Sequence, residues 1–303
     1  MALELLEKIA LIDQIEPWPL ELINSMVPEV KVIYSDVDRT LLGPGGSLFM
    51  GPDYNYTGKP AQAVLRCHLH NIDVVLISGR GHSQLREDAR ILGFKNWISE
   101  LGCQISYNMG EVMILNIGDF PAGEATVWQT IMSSGAPDFL LNKYKGYLEY
   151  HIPWSDNREF THIFRGWIDI AEINGLLQDQ GFEQLKIVDN GKILRRSSSL
   201  DPRLTEIHAY HLLPKASGKA SAVRKDRETR GIPKNKCAAI GDSISDLEIA
   251  SEVGILFLVR NAITDSPEIL EKVGDYPNVF ITQGAMGLGW AEAVNFLIDR
   301  RLG

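Results

Sequence analysis

Two aspartates spaced two residues apart, Asp36 and Asp38, close an apolar run in IYSDVDRTLL. Carboxylates at this spacing can divide labour: one stays ionised as a nucleophile against a metal, while the other takes up and returns a proton at a leaving oxygen. Taken alone, Asp-x-Asp serves equally well as a turn or a helix cap. A second run, VVLISGR, ends on Ser78 and Gly79. A hydroxyl and neighbouring N–H groups can replace water around a phosphate oxygen, and glycine permits close backbone approach. Taken alone, this too is a strand-to-helix turn. In SGKASAV, Lys219 falls at the start of an expected helix, where it can act as a point charge balancing Asp36 and a phosphoryl group; Lys215 and Lys225 compete for that part. In AAIGDSISDLEIA an apolar strand runs through Gly241 to Asp242 and Asp246. Carboxylates from separate strands, with Asp36 and water, can complete the oxygen-rich shell that magnesium prefers, and Asp242 is the preferred direct ligand. Asp242 or Ser243 could instead be a plain helix N-cap.

These four runs need a scaffold that brings strand ends together. From Lys31 onward KVIYS, a Gly- and Pro-rich loop, a helix opening near Pro60, DVVLIS and a helix over about 83–92 alternate as strand and helix, which predicts a parallel sheet covered by helices. Ligands of such sheets bind at the carboxyl ends of the strands. NWIS at Asn96 is a third strand, and CQISYN and EVMILNI form a hairpin about Asn-Met-Gly. The texture changes over roughly 120–213, where GYLEYHI, QLKIVDN and IHAYHLL read as strands and IDIAEINGLLQDQ as a helix. After Gly218 the alternation returns, through CAAIGDS, ILFLVRN and NVFIT to a last helix ending near Arg300. The fold class expected is α/β: a Rossmann-like parallel core from 31–119 and 214–303, an α+β domain inserted at 120–213, and a helical extension over 1–30.

Bulk properties bound the partners. A chain of 303 residues with formal net charge -9 and pI near 5.3 lacks the positive footprint that nucleic acid or an anionic membrane requires. A small diffusible substrate fits better, and an anionic one needs positive charge supplied locally. Cys67, Cys103 and Cys237 are scattered without CxxC spacing, against a disulfide framework or a structural zinc site, and a reducing cytoplasm is expected. The N-terminal segment carries Glu4, Glu7, Asp13 and Glu16 and does not read as a signal peptide. It is expected to be an amphipathic helix packed on the domain or on a second subunit, so a homo-oligomer is one possibility. No segment offers the roughly 18 uninterrupted apolar residues of a membrane span.

In conjunction, the four runs resemble the haloacid dehalogenase superfamily. Asp36-Val37-Asp38-Arg39-Thr40 is similar to its first motif, Ser78 to its second, Lys219 to its third, and Gly241-Asp242-Ser243 with Asp246 to its fourth. The insertion between the second and third resembles the cap of the branch holding Cof-type, sucrose-phosphate and mannosyl-3-phosphoglycerate phosphatases. The resemblance implies Mg2+, an aspartyl-phosphate intermediate on Asp36, and substrate selection by the cap. It implies Asp38 as general acid and base with its backbone carbonyl on the metal, and Thr40, Ser78 and Gly79 on phosphate oxygens. It further implies Lys219 steadying charge, Asp242 binding the metal with Asp246 in support, and Asn261 at the phosphate-binding rim. Arg39 stands where relatives carry glycine, either crowding the loop or adding a cation. Ser245 stands where many carry Asn, and Ser99-Glu100-Leu101-Gly102 follows the usual Glu-Asn-Gly loosely. The expected function is hydrolysis of a small phosphorylated metabolite, with a sugar phosphate as the family-level expectation. Alternatives are a sugar phosphomutase of the same superfamily and a catalytically weakened binding or regulatory protein. Tyr144, Tyr150, His151, Trp154, Arg195 and Arg196 could line a sugar pocket but read better as core or surface.

Overall fold

A computed structural model describes residues 18–121, 123–193 and 197–300. Among these residues twelve strands fall into two sheets. The first holds β1 (Val32–Asp36), β2 (Asp73–Ile77), β3 (Asn96–Ser99), β4 (Gln104–Tyr107), β5 (Val112–Leu115), β10 (Cys237–Gly241), β11 (Ile255–Leu258) and β12 (Val279–Ile281), in the order β12-β11-β10-β1-β2-β3-β4-β5. Its pairs are parallel from β12 to β3, and the hairpin β4–β5 adds two antiparallel strands at one edge. The second sheet, order β6-β7-β9-β8, is antiparallel and comprises β6 (Leu148–Tyr150), β7 (His162–Gly166), β8 (Leu185–Lys192) and β9 (His208–Pro214).

The central strands are apolar on both faces because helices cover both, the condition for a parallel sheet in water. Ile33, Val74, Leu76, Ile240 and Phe257 meet Val64, Leu85, Trp290 and Val294 of the helices Lys59–Leu69, His82–Leu92 and Met286–Asp299. Val32, Tyr34, Val75, Ala239 and Leu256 meet Val223 of the helix Lys219–Arg230, with Leu247 and Ile249. The described part of the N-terminal extension joins the first layer. Helix Leu20–Met26 buries Ile23 there, and Trp18 packs 4.7 Å from Phe257 and 4.8 Å from Phe296 while donating to the Ile281 carbonyl. Residues 1–17, which carry most of that expected helix, lie outside the described residues, as do Arg195 and Arg196.

The antiparallel sheet has its own core of Phe164, Ile173, Leu177, Ile187, Tyr210 and Leu212, shared at one end with Leu101 and Cys103 of the first sheet's loops. Two features here have no counterpart in the sequence reading. The stretch 127–143 forms two helices, Val127–Ser133 and Ala136–Lys143, and THIFRG contributes β7. The strand was obscured because its buried polar residues are satisfied by neighbours rather than alternating with apolar ones: His162 stacks 4.4 Å from Trp128, and its Nε2 lies 2.9 Å from the Trp128 carbonyl oxygen. All three cysteines are buried and free. Among the described residues no helix is long and apolar enough to cross a membrane.

Candidate active site

Strand register sets the site. Asp36 is the last residue of β1, opposite Ile77 of β2, so Ser78 follows alongside; Ser35 lies opposite Ile240 of β10, so Gly241 and Asp242 emerge at the same edge. Beneath Asp36, the Ser35 hydroxyl donates to the Asp36 carbonyl at 2.8 Å and accepts from Trp290 Nε1 at 2.9 Å, which fixes the end of the strand. Gly241 is required by a close approach, since a Cβ there would lie 2.3 Å from Asp246 Cβ.

Lys219 opens the helix Lys219–Arg230 and is buried. Its Nζ donates to Asp36 Oδ1 and to Asp246 Oδ1, each at 2.8 Å. The helix start is placed by another close approach: Gly102, at φ +93°, would put a Cβ 2.2 Å from the Gly218 carbonyl oxygen. Carboxylate oxygens of Asp36, Asp242 and Asp246 lie within 4.8 Å of one another. Burial, with Asp246 and Asp38 adding to it, raises the Asp36 carboxyl to about 7 although Lys219 pulls it down. Burial, then Asp36 and Asp246, pushes Asp242 well above the usual carboxylate range. Burial opposes the charge on Lys219, but Asp246 and Asp36 outweigh it and hold the ammonium above its ordinary range.

Three clustered carboxylates beside one ammonium are short of positive charge, and the hard oxygen donors suit a divalent cation such as magnesium. The donors are not equivalent. Asp246 Oδ2 accepts from the backbone N–H of Asp242 at 3.3 Å and of Ser243 at 3.1 Å, and from the Ser243 hydroxyl at 2.5 Å, so this carboxylate organises the Asp242 turn from behind. Asp242 Oδ2 accepts one amide N–H from Asn261 at 3.1 Å.

Several expectations change in place. Asn261 does not lie at the rim. It is buried, donating to the Arg39 carbonyl at 3.0 Å and to Asp242 while its Oδ1 accepts from Met286 N at 2.7 Å, so its polar atoms brace the loops. Arg39 occupies the left-handed region at φ +63°, where glycine is the unstrained choice, and adds a cation instead of crowding the loop: it pairs with Asp265 and stands 3.8 Å from Asp242 Oδ2. Ser245 Oγ lies 2.9 Å from Ser243 Oγ, in the turn that Asp246 braces. The Thr40 hydroxyl is buried with no partner among the described residues, and Ser78 Oγ accepts from Arg80 N at 3.1 Å with its own proton left to give.

Asp38 stands apart from the cluster, its side chain half exposed and held in a bidentate pair by Arg80, Nε to Oδ2 at 2.8 Å and Nη2 to Oδ1 at 2.6 Å. The other arm of Arg80 pairs with Asp88 at 2.7 Å. Arg80 escaped the sequence reading, although it stands next to Gly79 in SGR. Glu100 entered the sequence reading only within a loose match to Glu-Asn-Gly, with no role given to it. Buried and at φ +47°, its carboxylate accepts from the backbone N–H groups of Glu159, Phe160 and Thr161 and from the Thr161 hydroxyl, at 2.8–3.2 Å. That clasp seats the segment before β7 on the core. Next to it, His211 and Asn190 roof the second loop: a Cβ on Gly79 would lie 2.8 Å from Asn190 Nδ2 and 3.1 Å from His211 Nε2.

Residues 185–278 match the family described as haloacid dehalogenase-like hydrolase. A phosphoglycolate phosphatase of Staphylothermus marinus is 33% identical over 93 residues, a match that spans 31% of this chain and only 36% of that enzyme's length. The phosphoglycolate phosphatase of Sulfolobus acidocaldarius is 25% identical over 249 residues, covering 82% of this chain and 89% of the relative. The solved sucrose-phosphatase of Synechocystis, in complex with sucrose and phosphate, shares the fold with a TM-score of 0.59 at 16% identity, over 89% of this chain and 98% of that one.

Proposed function

We propose that this haloacid dehalogenase-like chain is a magnesium-dependent phosphatase of a small phosphorylated metabolite, with Asp36 as its nucleophile. One observation carries the reading: Asp36 and Asp242, at the ends of adjacent parallel strands, converge with Asp246 of the following helix, and Lys219 pairs with Asp36 and Asp246. Asp36, Asp242 and the Asp38 backbone carbonyl would hold magnesium, which when bound draws charge from the phosphoryl oxygens. Lys219 engages Asp36 Oδ1, leaving Oδ2 to attack. An Asp36 oxygen bonds to phosphorus as the ester P–O bond breaks, and a proton that Asp38 takes up from solvent on leaving Arg80 passes to the leaving oxygen, releasing the alcohol. Asp38, then a carboxylate, takes a proton from water. That water oxygen bonds to phosphorus, the P–O bond to Asp36 breaks, and phosphate leaves with Asp36 restored. Thr40, Ser78 and the Gly79 backbone N–H would cradle phosphate oxygens, a role supported by the buried Thr40 hydroxyl, which has no partner among the described residues.

Asp38 can serve only after trading its Arg80 partner for the leaving oxygen, which makes Arg80 a positioning residue. The second sheet acts as a cap whose closure excludes bulk water while admitting one molecule for the second step. A sugar phosphate is the substrate suggested by family resemblance, while the named relatives are phosphoglycolate phosphatases; both substrates are phosphate monoesters of small molecules. The intact Asp36, Asp38, Lys219 and Asp242 weigh against a binding protein with a relict site. A mutase would need the same Asp36 and Asp38, and a sugar monophosphate distinguishes the two: inorganic phosphate means hydrolysis, an isomeric monophosphate without phosphate means transfer. The direct test is p-nitrophenyl phosphate with and without magnesium. Asp36→Asn is expected to abolish metal-dependent phosphate release while keeping the wild-type circular dichroism spectrum, and activity comparable to wild type would remove Asp36 from its role.

A further inference from the structure

Arg158 stands at the seam between the two sheets, in the segment that Glu100 clasps. Its Nε donates to the Trp154 carbonyl at 2.9 Å and its Nη1 to the Gly79 carbonyl at 2.5 Å, so the guanidinium lies against the loop that follows β2. Among the described residues no carboxylate is within ion-pair distance of it. Glu100, whose charge bears on it, has its oxygens taken by the backbone of 159–161 and the Thr161 hydroxyl. Arg158 is half-buried, and a cation partly withdrawn from water without an ion-pair partner carries a cost that an anion docked beside it would offset. Its remaining N–H groups are held ready by the two carbonyl contacts, and Asn190 Nδ2 offers a second donor against the same glycine.

The roof formed by Asn190 and His211 is in contact with Gly79, so a substrate seated under it must be short beyond its phosphate. A rigid guanidinium fork over a short substrate suits a carboxylate, whose two oxygens match its donors. We propose that Arg158, assisted by Asn190, is the specificity-determining residue for the end of the substrate distal to phosphorus, and that this end is a carboxylate: the substrate class is a short phosphorylated carboxylic acid. This rests on the phosphatase reading and narrows it away from large sugar phosphates.

The test compares 2-phosphoglycolate with glycerol 3-phosphate, a short ester with a neutral tail, using wild type, Arg158→Met and Arg158→Lys. Wild type is expected to favour 2-phosphoglycolate in kcat/KM. Arg158→Met should lose about 100-fold on it, mainly through KM, as removal of a charge-assisted contact costs, with at least about tenfold less loss on glycerol 3-phosphate. Arg158→Lys should recover part of the difference. Equal losses on both esters would make Arg158 a latch on Gly79 or a phosphate ligand and overturn the proposal, as would a wild type with no preference. Should Arg158→Met fail to fold, the wild-type preference and the lysine variant decide. Hydrolysis of p-nitrophenyl phosphate without preference for the acid overturns this inference alone; no hydrolysis of any ester overturns the phosphatase reading and this inference with it.

Discussion

At the scale of single residues, the proposed mechanism gives proton transfer to Asp38, which Arg80 holds, and bond formation to Asp36. Asp38 is outside the metal-ready cluster, so its removal should leave that cluster intact. Asp38→Asn is expected to lower kcat on a poor leaving group such as glycerol 3-phosphate by about 100-fold or more, the usual worth of a positioned acid. p-Nitrophenolate needs little protonation to leave, so its ester should suffer less, and KM should change little on both. Equal effects on the two leaving groups would refute the assignment of Asp38 as acid. The positions of Asp36, Ser78 and Asp242 were legible because each is the polar end of an apolar run, so that one stretch of sequence encodes both strand and terminus. Arg80 was not legible as a partner of Asp38, because their pairing depends on how two loops 42 residues apart meet.

At the scale of elements, the seam between β3 and β7 carries the cap. The Glu100 carboxylate takes four hydrogen bonds from one short segment, and no apolar periodicity foretells such a contact. Glu100→Gln keeps the shape but turns an NH2 toward N–H donors, and stability is expected to fall on the order of 3 kcal/mol through unsatisfied buried groups. Urea denaturation measures it, and an unchanged midpoint would show that the clasp contributes nothing. Within the cap, His208 Nδ1 lies 2.7 Å from Asp189 Oδ2, and that hydrogen bond, against the opposing effect of burial, raises the imidazole above its ordinary 6.5. A raised folded value means the added stability is fully present below 6.5 and is lost as pH climbs through the folded value. Asp189→Asn should therefore lower the melting temperature more at pH ~6 than at pH ~9; a difference independent of pH would argue against the pair. Neither partner drew notice in the sequence, since the pairing depends on the register between β8 and β9 and on its irregularity between Asp189 and Lys192.

For the whole molecule, parallel-sheet topology was the most legible feature, because buried strands alternating with helices leave a pattern that survives any particular packing. The two helices over 127–143 and the β7 strand were not, since their polar residues are buried against partners distant in sequence. On the proposed reading, a cation held by Asp36 at the end of β1 and Asp242 just after β10 would couple ligand binding to global stability. Magnesium at 100 times its dissociation constant should add about 2.7 kcal/mol, read as a raised melting temperature in calorimetry. Asp242→Asn should erase most of that gain, and a full gain in the variant would place the cation elsewhere.

The points where the chain leaves the large sheet and returns are joined side by side. Ser217 Oγ donates to the Asn116 carbonyl at 2.7 Å, and Asn116 Nδ2 donates to Ser221 Oγ and to the Gly102 carbonyl, each at 2.9 Å. Two tethers riveted together turn about one pivot, as tongs do, rather than swinging like a weight on separate strings. Any movement of the small sheet would then follow one arc about that pivot, and Arg158 and His211, which lie against the Gly79 loop, would return to it together. A core stripped of that arm would need only a short bridge across the rivet to stay closed, so different arms could be exchanged on one chassis.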